Sequence, residues 1–141
     1  MSTELERLLS GIGEGWNSHD VERIISFFAD DCLYEDLAVG VAKRGKKEVT
    51  EFIREFFVGV PDVKFEVRGC FFTNDRVCIE WVMTGTHSGD LPGMPATGKA
   101  ISIRGVNVKE IKDNKVSRHT DYYDMATLLR QLGVLPPMPQ G

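Results

Sequence analysis

Little in this chain is extreme, and each shortage excludes something. Charge is nearly balanced: 17 Lys and Arg stand against 21 Asp and Glu, for a net charge of -4. A mildly acidic chain gives no reason to expect nucleic acid or an anionic membrane as partner. Its one basic cluster, Lys43, Arg44, Lys46 and Lys47, reads as a solvated loop and helix start. No apolar run approaches the roughly 20 residues that cross a bilayer. The start, Met-Ser-Thr-Glu-Leu-Glu, is acidic and unlike a secretory leader. Cysteine is scarce. Cys32, Cys70 and Cys78 show no CxxC or zinc spacing, and an odd number among apolar neighbours suggests packed, reduced thiols in a cytoplasmic protein. His19, His87 and His119 come from separate segments with no ligand spacing, so no metal is expected. There is no internal repeat and no low-complexity tract. With 141 residues, 42% of them hydrophobic, the chain is expected to form one domain over 1–141 with its own core and no need of disulfides.

What is present is a change of period partway along. Leu5, Leu8, Leu9, Ile12 and Trp16 recur at helical spacing, and Gly11, Gly13 and Gly15 leave room for close packing. Asn17-Ser-His-Asp20 breaks this helix and offers a cap for the next, which carries Val21, Ile24, Ile25 and Phe28. Cys32 to Leu37 reads as strand. Gly40 and Gly45 bracket a loop. A third helix puts Val49, Phe52, Ile53, Phe56 and Phe57 on one side and stops before Pro61. From Val63 the period is two: Val63, Phe65 and Val67 alternate with Lys64, Glu66 and Arg68. Thr73 to Arg76 turns the chain into a central strand over about Val77–His87, apolar on both faces. Residues 88–98 hold three Gly and two Pro and read as a loop. Ile101 to Ile111 is strand again, and its apolar parity slips at Gly105, which suggests a bulge. Asp113-Asn114 leads into a last strand, and Asp124 caps a short helix that Gly133 ends.

Successive strands with short connections pair antiparallel, and the leading helices must cover one face of the sheet. The fold class expected is α+β: a cone-shaped, curved, mostly antiparallel sheet under three N-terminal helices, with a pocket between them.

The last strand concentrates chemistry. His119, Asp121 and Tyr123 alternate onto one face, and Arg118, Thr120 and Tyr122 onto the other. An apolar recess makes a carboxylate a better base than water does. His119 would orient Asp121 or donate to a developing enolate. The plainer reading is a structural Asp121 paired with Arg104 or Arg118. Tyr34 and Asp36 share a face by the same parity; a carboxylate turned toward Lys43 and Arg44 is the alternative for Asp36. Trp81 and Met83 read as core, although a buried indole N–H wants a partner. His87 falls at a strand end, either at a pocket mouth or on the surface. Asn107 and Arg104 have opposite parity, so at most one points inward.

Trp16-Asn-Ser-His-Asp20, Phe27-Phe-Ala-Asp-Asp31, Tyr34-Glu-Asp36 and Gly45-Lys-Lys-Glu-Val49 resemble the front half of the nuclear transport factor 2-like superfamily. Gly85-Thr-His-Ser-Gly89, Thr97-Gly98, Asp121-Tyr-Tyr-Asp124 and Gln131-Leu-Gly133 with Pro136 resemble its SnoaL-like polyketide cyclase group. The resemblance implies that Asp121 is the acid/base of a cofactor-independent enzyme. Such an enzyme takes a proton beside a carbonyl and closes a ring by an aldol step. Asp36 falls where ketosteroid isomerases of the superfamily keep their base, but residues 1–20 lack their oxyanion-binding Tyr. Trp81 and Met83 stand where limonene epoxide hydrolases place an Arg and an Asp, which speaks against epoxide opening.

These readings set expectations. Asp121 and His119 are the catalytic candidates, and Trp81, Asp36, Tyr34, Met83, Tyr123, Trp16 and His87 the substrate-binding ones. The ligand expected is a small hydrophobic carbonyl compound, with ring closure, isomerisation or lyase-type water loss as outcome. No cofactor is expected, and the chain should pair as a homodimer through the outer sheet face. The alternative is a non-catalytic domain that binds a hydrophobic ligand or serves dimerisation.

Overall fold

The computed structural model describes residues 3–139; Met1 and Ser2 of the acidic start lie outside it, as do Gln140 and Gly141. Ten elements follow one another: α1 (Thr3–Asn17), α2 (Val21–Ser26), β1 (Phe28–Asp36), β2 (Val41–Arg44), α3 (Gly45–Gly59), β3 (Lys64–Phe72), β4 (Arg76–Thr86), β5 (Ala100–Lys112), β6 (Lys115–Tyr123) and α4 (Met125–Gln131). The strands form one curved six-stranded sheet in the order β2-β1-β6-β5-β4-β3. Every neighbouring pair is antiparallel except β1 and β6, which run parallel. No helix among the described residues is long and apolar enough to cross a membrane.

Four expectations about the elements need correction, and Cys70 is exposed, not packed. Phe28 belongs to β1, not to the second helix. Phe27 caps α2 after six residues, and Phe28 then pairs with Val116 in the sheet, fully buried. Residues between Gly40 and Gly45 are strand, not only loop: Gly40, at φ 84°, reverses the chain so that β2 pairs back along β1. Four residues, two of them basic, are too short a run for alternation to show. Thirdly, the strand from residue 76 is interior but lies next to the edge strand β3; the middle of the sheet is β6 and β5.

The fourth correction concerns Gly105. Pairing of β4 with β5 is unbroken from Arg76↔Glu110 to Thr86↔Ala100, so there is no bulge at this glycine. The register shifts lie between Phe28 and Leu33, between Val67 and Gly69 and between Glu110 and Ile111. Gly105 is small because Trp81 lies over it: a Cβ there would come within 2.6 Å of the indole and 2.8 Å of the Tyr122 carbonyl oxygen. Likewise a Cβ on Gly11 would meet the Phe27 ring at 2.2 Å, which is how α1 and α2 approach so closely.

Two apolar clusters hold the layers together. One joins Leu8 and Ile12 of α1, Ile24 of α2 and Ile53 of α3 to Phe28 and Cys32 of β1. The other joins Trp81 and Met83 of β4, Ile101 and Ile103 of β5 and Leu128 of α4. At roughly 1.5–3 kcal/mol per fully buried large aliphatic or aromatic side chain, such clusters dominate stability. Asp124 caps α4 through the Ala126 amide and Asp20 caps α2 through that of Arg23, as the sequence suggests.

Candidate active site

Between the two clusters lies a cavity of about 350 Å³ with mainly apolar walls, within the usual size range for small-molecule sites. All nine residues singled out as site candidates line it: Trp16, Tyr34, Asp36, Trp81, Met83 and His87, then His119, Asp121 and Tyr123. Many of its polar groups come from the inward faces of β1, β6 and β5, and Lys43, Glu55, Trp81 and His87 add others from elsewhere.

The parallel pairing of β1 with β6 builds the polar floor. Register sets Tyr34 beside His119 and Asp36 beside Asp121, so two alternating faces mesh. The Tyr34 hydroxyl donates to Asp121 Oδ2 at 2.8 Å, and His119 Nε2 meets Asp121 Oδ1 at 2.8 Å. In the crossed direction the Tyr123 hydroxyl donates to Asp36 Oδ2 at 2.8 Å, while the Val39 amide donates to Asp36 Oδ1. The Tyr34 ring stacks on the His119 imidazole, centroids 4.3 Å apart and planes 13° apart. Asp121 is thus gripped at both oxygens, yet its side chain keeps 13% of its surface open. Neither arginine of the plainer reading binds it. Arg118 reaches Glu35 on the outer face, and Arg104, exposed, has the parity opposite to the cavity-lining Asn107.

Burial sets the electrostatics. It pushes the Asp36 carboxyl up, with hydrogen bonds from Val39 and Tyr123 opposing. It raises the Tyr34 and Tyr123 phenols, helped by the neighbouring carboxylates, so both stay protonated. It lowers His119 against the opposing pull of Asp121, which favours a neutral imidazole. A carboxylate acceptor places that ring's hydrogen on Nε2, leaving Nδ1 as a bare acceptor. Buried Nδ1 has no partner.

Among the described residues two further nitrogens are buried without partners, Trp81 Nε1 and His87 Nε2. His87 is fully enclosed, not on the surface. Its Nδ1 accepts from the Thr97 amide at 3.3 Å and contacts the Thr97 hydroxyl at 3.0 Å, so Nε2 carries the hydrogen. Trp81 and His87 line the cavity, and among the described residues neither the indole N–H nor the His87 Nε2–H has a protein acceptor. Leaving such groups unsatisfied costs about 1–3 kcal/mol each; a ligand oxygen removes that cost.

Sequence reasoning missed Lys109 and left Asn107 open. Both point into the cavity from β5, and Lys109 Nζ donates to Asn107 Oδ1 at 2.6 Å. The signal was the parity slip at Gly105. Ile101, Ile103, Gly105, Asn107 and Lys109 share one continuous inward face, so what changes at Gly105 is the chemistry of that face, not its direction. Among the described residues no group of three or more His, Cys, Asp or Glu is arranged to hold a metal ion.

Comparison with known proteins agrees with this geometry. The profile of the SnoaL-like polyketide cyclase family matches residues 6–132. The aklanonic acid methyl ester cyclase DnrD of Streptomyces peucetius is 42% identical over 57 residues, 40% of this chain and 39% of that protein. The alignment therefore spans well under half of that curated relative. The crystal structure of AclR from Streptomyces galilaeus, described as a candidate hydroxylase, superposes with a TM-score of 0.84 at 26% identity, covering 99% of this chain and 87% of that one. A SnoaL-like polyketide cyclase candidate from Jannaschia sp. CCS1 gives 0.85 at 19% identity, covering 96% and 94%, a likeness of fold. With the family profile spanning nearly the whole chain, this protein belongs to the SnoaL-like polyketide cyclase family.

Proposed function

We propose that this chain is a cofactor-independent cyclase that closes a ring in a carbonyl-rich polyketide by an intramolecular aldol step, with Asp121 as acid and base. The observation that carries the reading is the floor of the cavity. One carboxylate is fixed at both oxygens by Tyr34 and His119 and keeps an open side, while unpartnered N–H donors of Trp81 and His87 belong to the same cavity lining.

The steps follow from that arrangement. Asp121 takes a proton from carbon next to a carbonyl, and the C–H electron pair becomes an enolate. An N–H donor free of protein partners steadies the enolate oxygen; Trp81 Nε1 serves this part. The enolate carbon attacks a second carbonyl of the same molecule, and its π electrons move onto oxygen. Protonated Asp121 then gives its proton to that alkoxide, which regenerates the carboxylate. The net change is an isomerisation, with no oxidant and no water consumed. His119 serves as a positioning residue, since its one N–H is committed to Asp121. Curated relatives bear the names of cyclases for aklanonic acid methyl ester and nogalonic acid methyl ester, so a polyketide methyl ester is the substrate class to try first.

Aklanonic acid methyl ester supplied to wild type and to Asp121→Asn tests the assignment. Loss of at least about a hundredfold in turnover is expected, with circular dichroism and ligand binding retained. Full turnover by the variant refutes the acid/base role. Saturable binding by wild type with no conversion of any such ester instead supports a binding domain.

The same reading includes a homodimer formed through the outer face of the sheet, where Phe71 and Tyr122 are 64% and 45% exposed. Light scattering at micromolar concentration reports it; a monomer there rejects it.

A further inference from the structure

Lys109 is not explained by the cyclisation scheme. It is 2% exposed and lies on the cavity lining, paired in register with His119 across β5 and β6. An ammonium has three N–H groups to satisfy. Among the described residues Nζ makes one hydrogen bond, to Asn107 Oδ1, and no carboxylate lies within 4.0 Å of it. Asn107 accepts through oxygen and offers no negative charge. His119, its neighbour, turns its hydrogen to Asp121. A buried amine with one neutral partner in an apolar cavity is poorly held as a cation, and desolvation of this kind is how lysines become nucleophiles toward carbonyl carbon.

We propose that Lys109 is an imine-forming amine, a second reactive group that bonds covalently and reversibly to a ketone or aldehyde carbon of a compound in the cavity. The proposal rests on the cavity admitting a carbonyl compound, but not on Asp121 being the base. In the reaction the Nζ lone pair attacks the carbonyl carbon, and a nitrogen-bound proton passes to the oxygen to give a carbinolamine. The C–O bond then breaks, water leaves with the second proton, and a C=N bond remains. Hydrolysis reverses every step, so nothing is oxidised or reduced. Lowering of the amine toward about 8 by burial, against the opposing charges of Asp121, Cys70 and Cys78, accords with this chemistry. Lys43, which lines the same cavity but is only half-buried, supplies an internal comparison.

Acetylacetone is the probe, because the imine of a 1,3-diketone shifts a central C–H proton to nitrogen and becomes a stable, near-ultraviolet-absorbing enaminone. Full-length protein is incubated with it, and intact mass and peptide mapping locate any gain of one diketone less one water. A single adduct on Lys109 is expected, at least tenfold above that on Lys43 or any other lysine. Lys109→Met should abolish it. Should that variant fail to fold by circular dichroism, Lys109→Arg keeps a cation and a donor while removing the nucleophile. Asp121→Asn retains the amine and should retain the adduct while losing turnover, so failure of the cyclase reading and failure of this one give different results. No adduct in wild type, or labelling spread evenly over the lysines, overturns the proposal.

Discussion

Replacing Lys109 by Met makes the fold less dependent on pH, by an amount that follows from its burial. Desolvation lowers the folded-state amine from 10.5 to about 8. The unfolded chain keeps the ordinary value, so between about pH 8 and 10.5 it binds more protons than the native state and stability rises with pH. Above that window both states are neutral and there is no penalty. Below it the native state must charge a buried amine and the penalty is complete. At about 1.4 kcal/mol per pH unit of displacement, this comes to about 3 kcal/mol at neutral pH and about 1 kcal/mol near pH 9.5. Met fills similar space but leaves Asn107 Oδ1 without its donor, which costs about 1 kcal/mol at any pH. The variant should therefore be more stable than wild type by about 2 kcal/mol at pH 7 and nearly equal to it at pH 9.5. Urea denaturation of both proteins at the two pH values measures the change in the gap. Asp121, Cys70 and Cys78, whose charges act on the amine, are common to both proteins, so the subtraction isolates Lys109. A gap that stays constant with pH would refute the idea that this amine is desolvated, and would remove the physical support for its reactivity.

Three other perturbations test neighbouring parts of the argument. Burial raises the Asp36 carboxyl, so its contribution to stability is fullest below the unfolded value and falls away as pH rises through the folded one. Asp36→Asn keeps an oxygen for the Val39 amide and turns an N–H toward the Tyr123 hydroxyl oxygen, so it should gain on wild type as pH rises above about 4 in denaturant titrations; parallel curves would contradict the burial effect. Gly105→Ala places a methyl against the indole of Trp81 and should cost about 1–3 kcal/mol as overpacking, with altered tryptophan fluorescence; an unchanged midpoint would mean the indole moves aside freely. Asp124→Ala removes the α4 cap and should lower stability by about 1 kcal/mol while leaving turnover as it was, which denaturation and a rate assay check together.

Helices and strands were legible wherever a period ran long enough. Leu8, Ile12 and Trp16 mark α1, and Phe65 marks β3, because one face of each meets apolar neighbours, although Val67 of the same alternation is exposed. Legibility failed where tertiary context decides. Val41 to Arg44 is a strand because β1 lies alongside, not because four residues with two cations favour one. Phe28 looked helical because it continues the spacing of Val21, Ile24 and Ile25. Only three-dimensional packing shows that Phe27 ends the helix first, which frees Phe28 to open β1 against Val116. The parallel contact between β1 and β6 joins residues almost ninety positions apart, and no local pattern announces it. That contact is what turns two separate Tyr–Asp patterns, Tyr34 with Asp36 and Asp121 with Tyr123, into one crossed network.

The inward face of β5 shows why a site can be hidden by the rule used to find cores. Strand reading assumes that apolar side chains mark the buried face, so when Ser102 and Arg104 give way to Val106 and Val108 as the partners of an alternation, the natural inference is that the strand has slipped by one residue. A slip would have sent Asn107 and Lys109 to solvent. The unbroken register with β4 shows the opposite: the strand keeps its phase, and the buried face itself becomes polar as it passes beneath the cavity. Burying an amide and an amine there costs stability that two aliphatic side chains would not. A fold that carries such a cost at one cavity, beside a carboxylate held by His119 and Tyr34, supports the proposal of ligand chemistry at that cavity. The apparent violation of alternation is thus itself the mark of the site, and it is readable from sequence once a phase slip and a polarity inversion are treated as rival explanations of the same pattern.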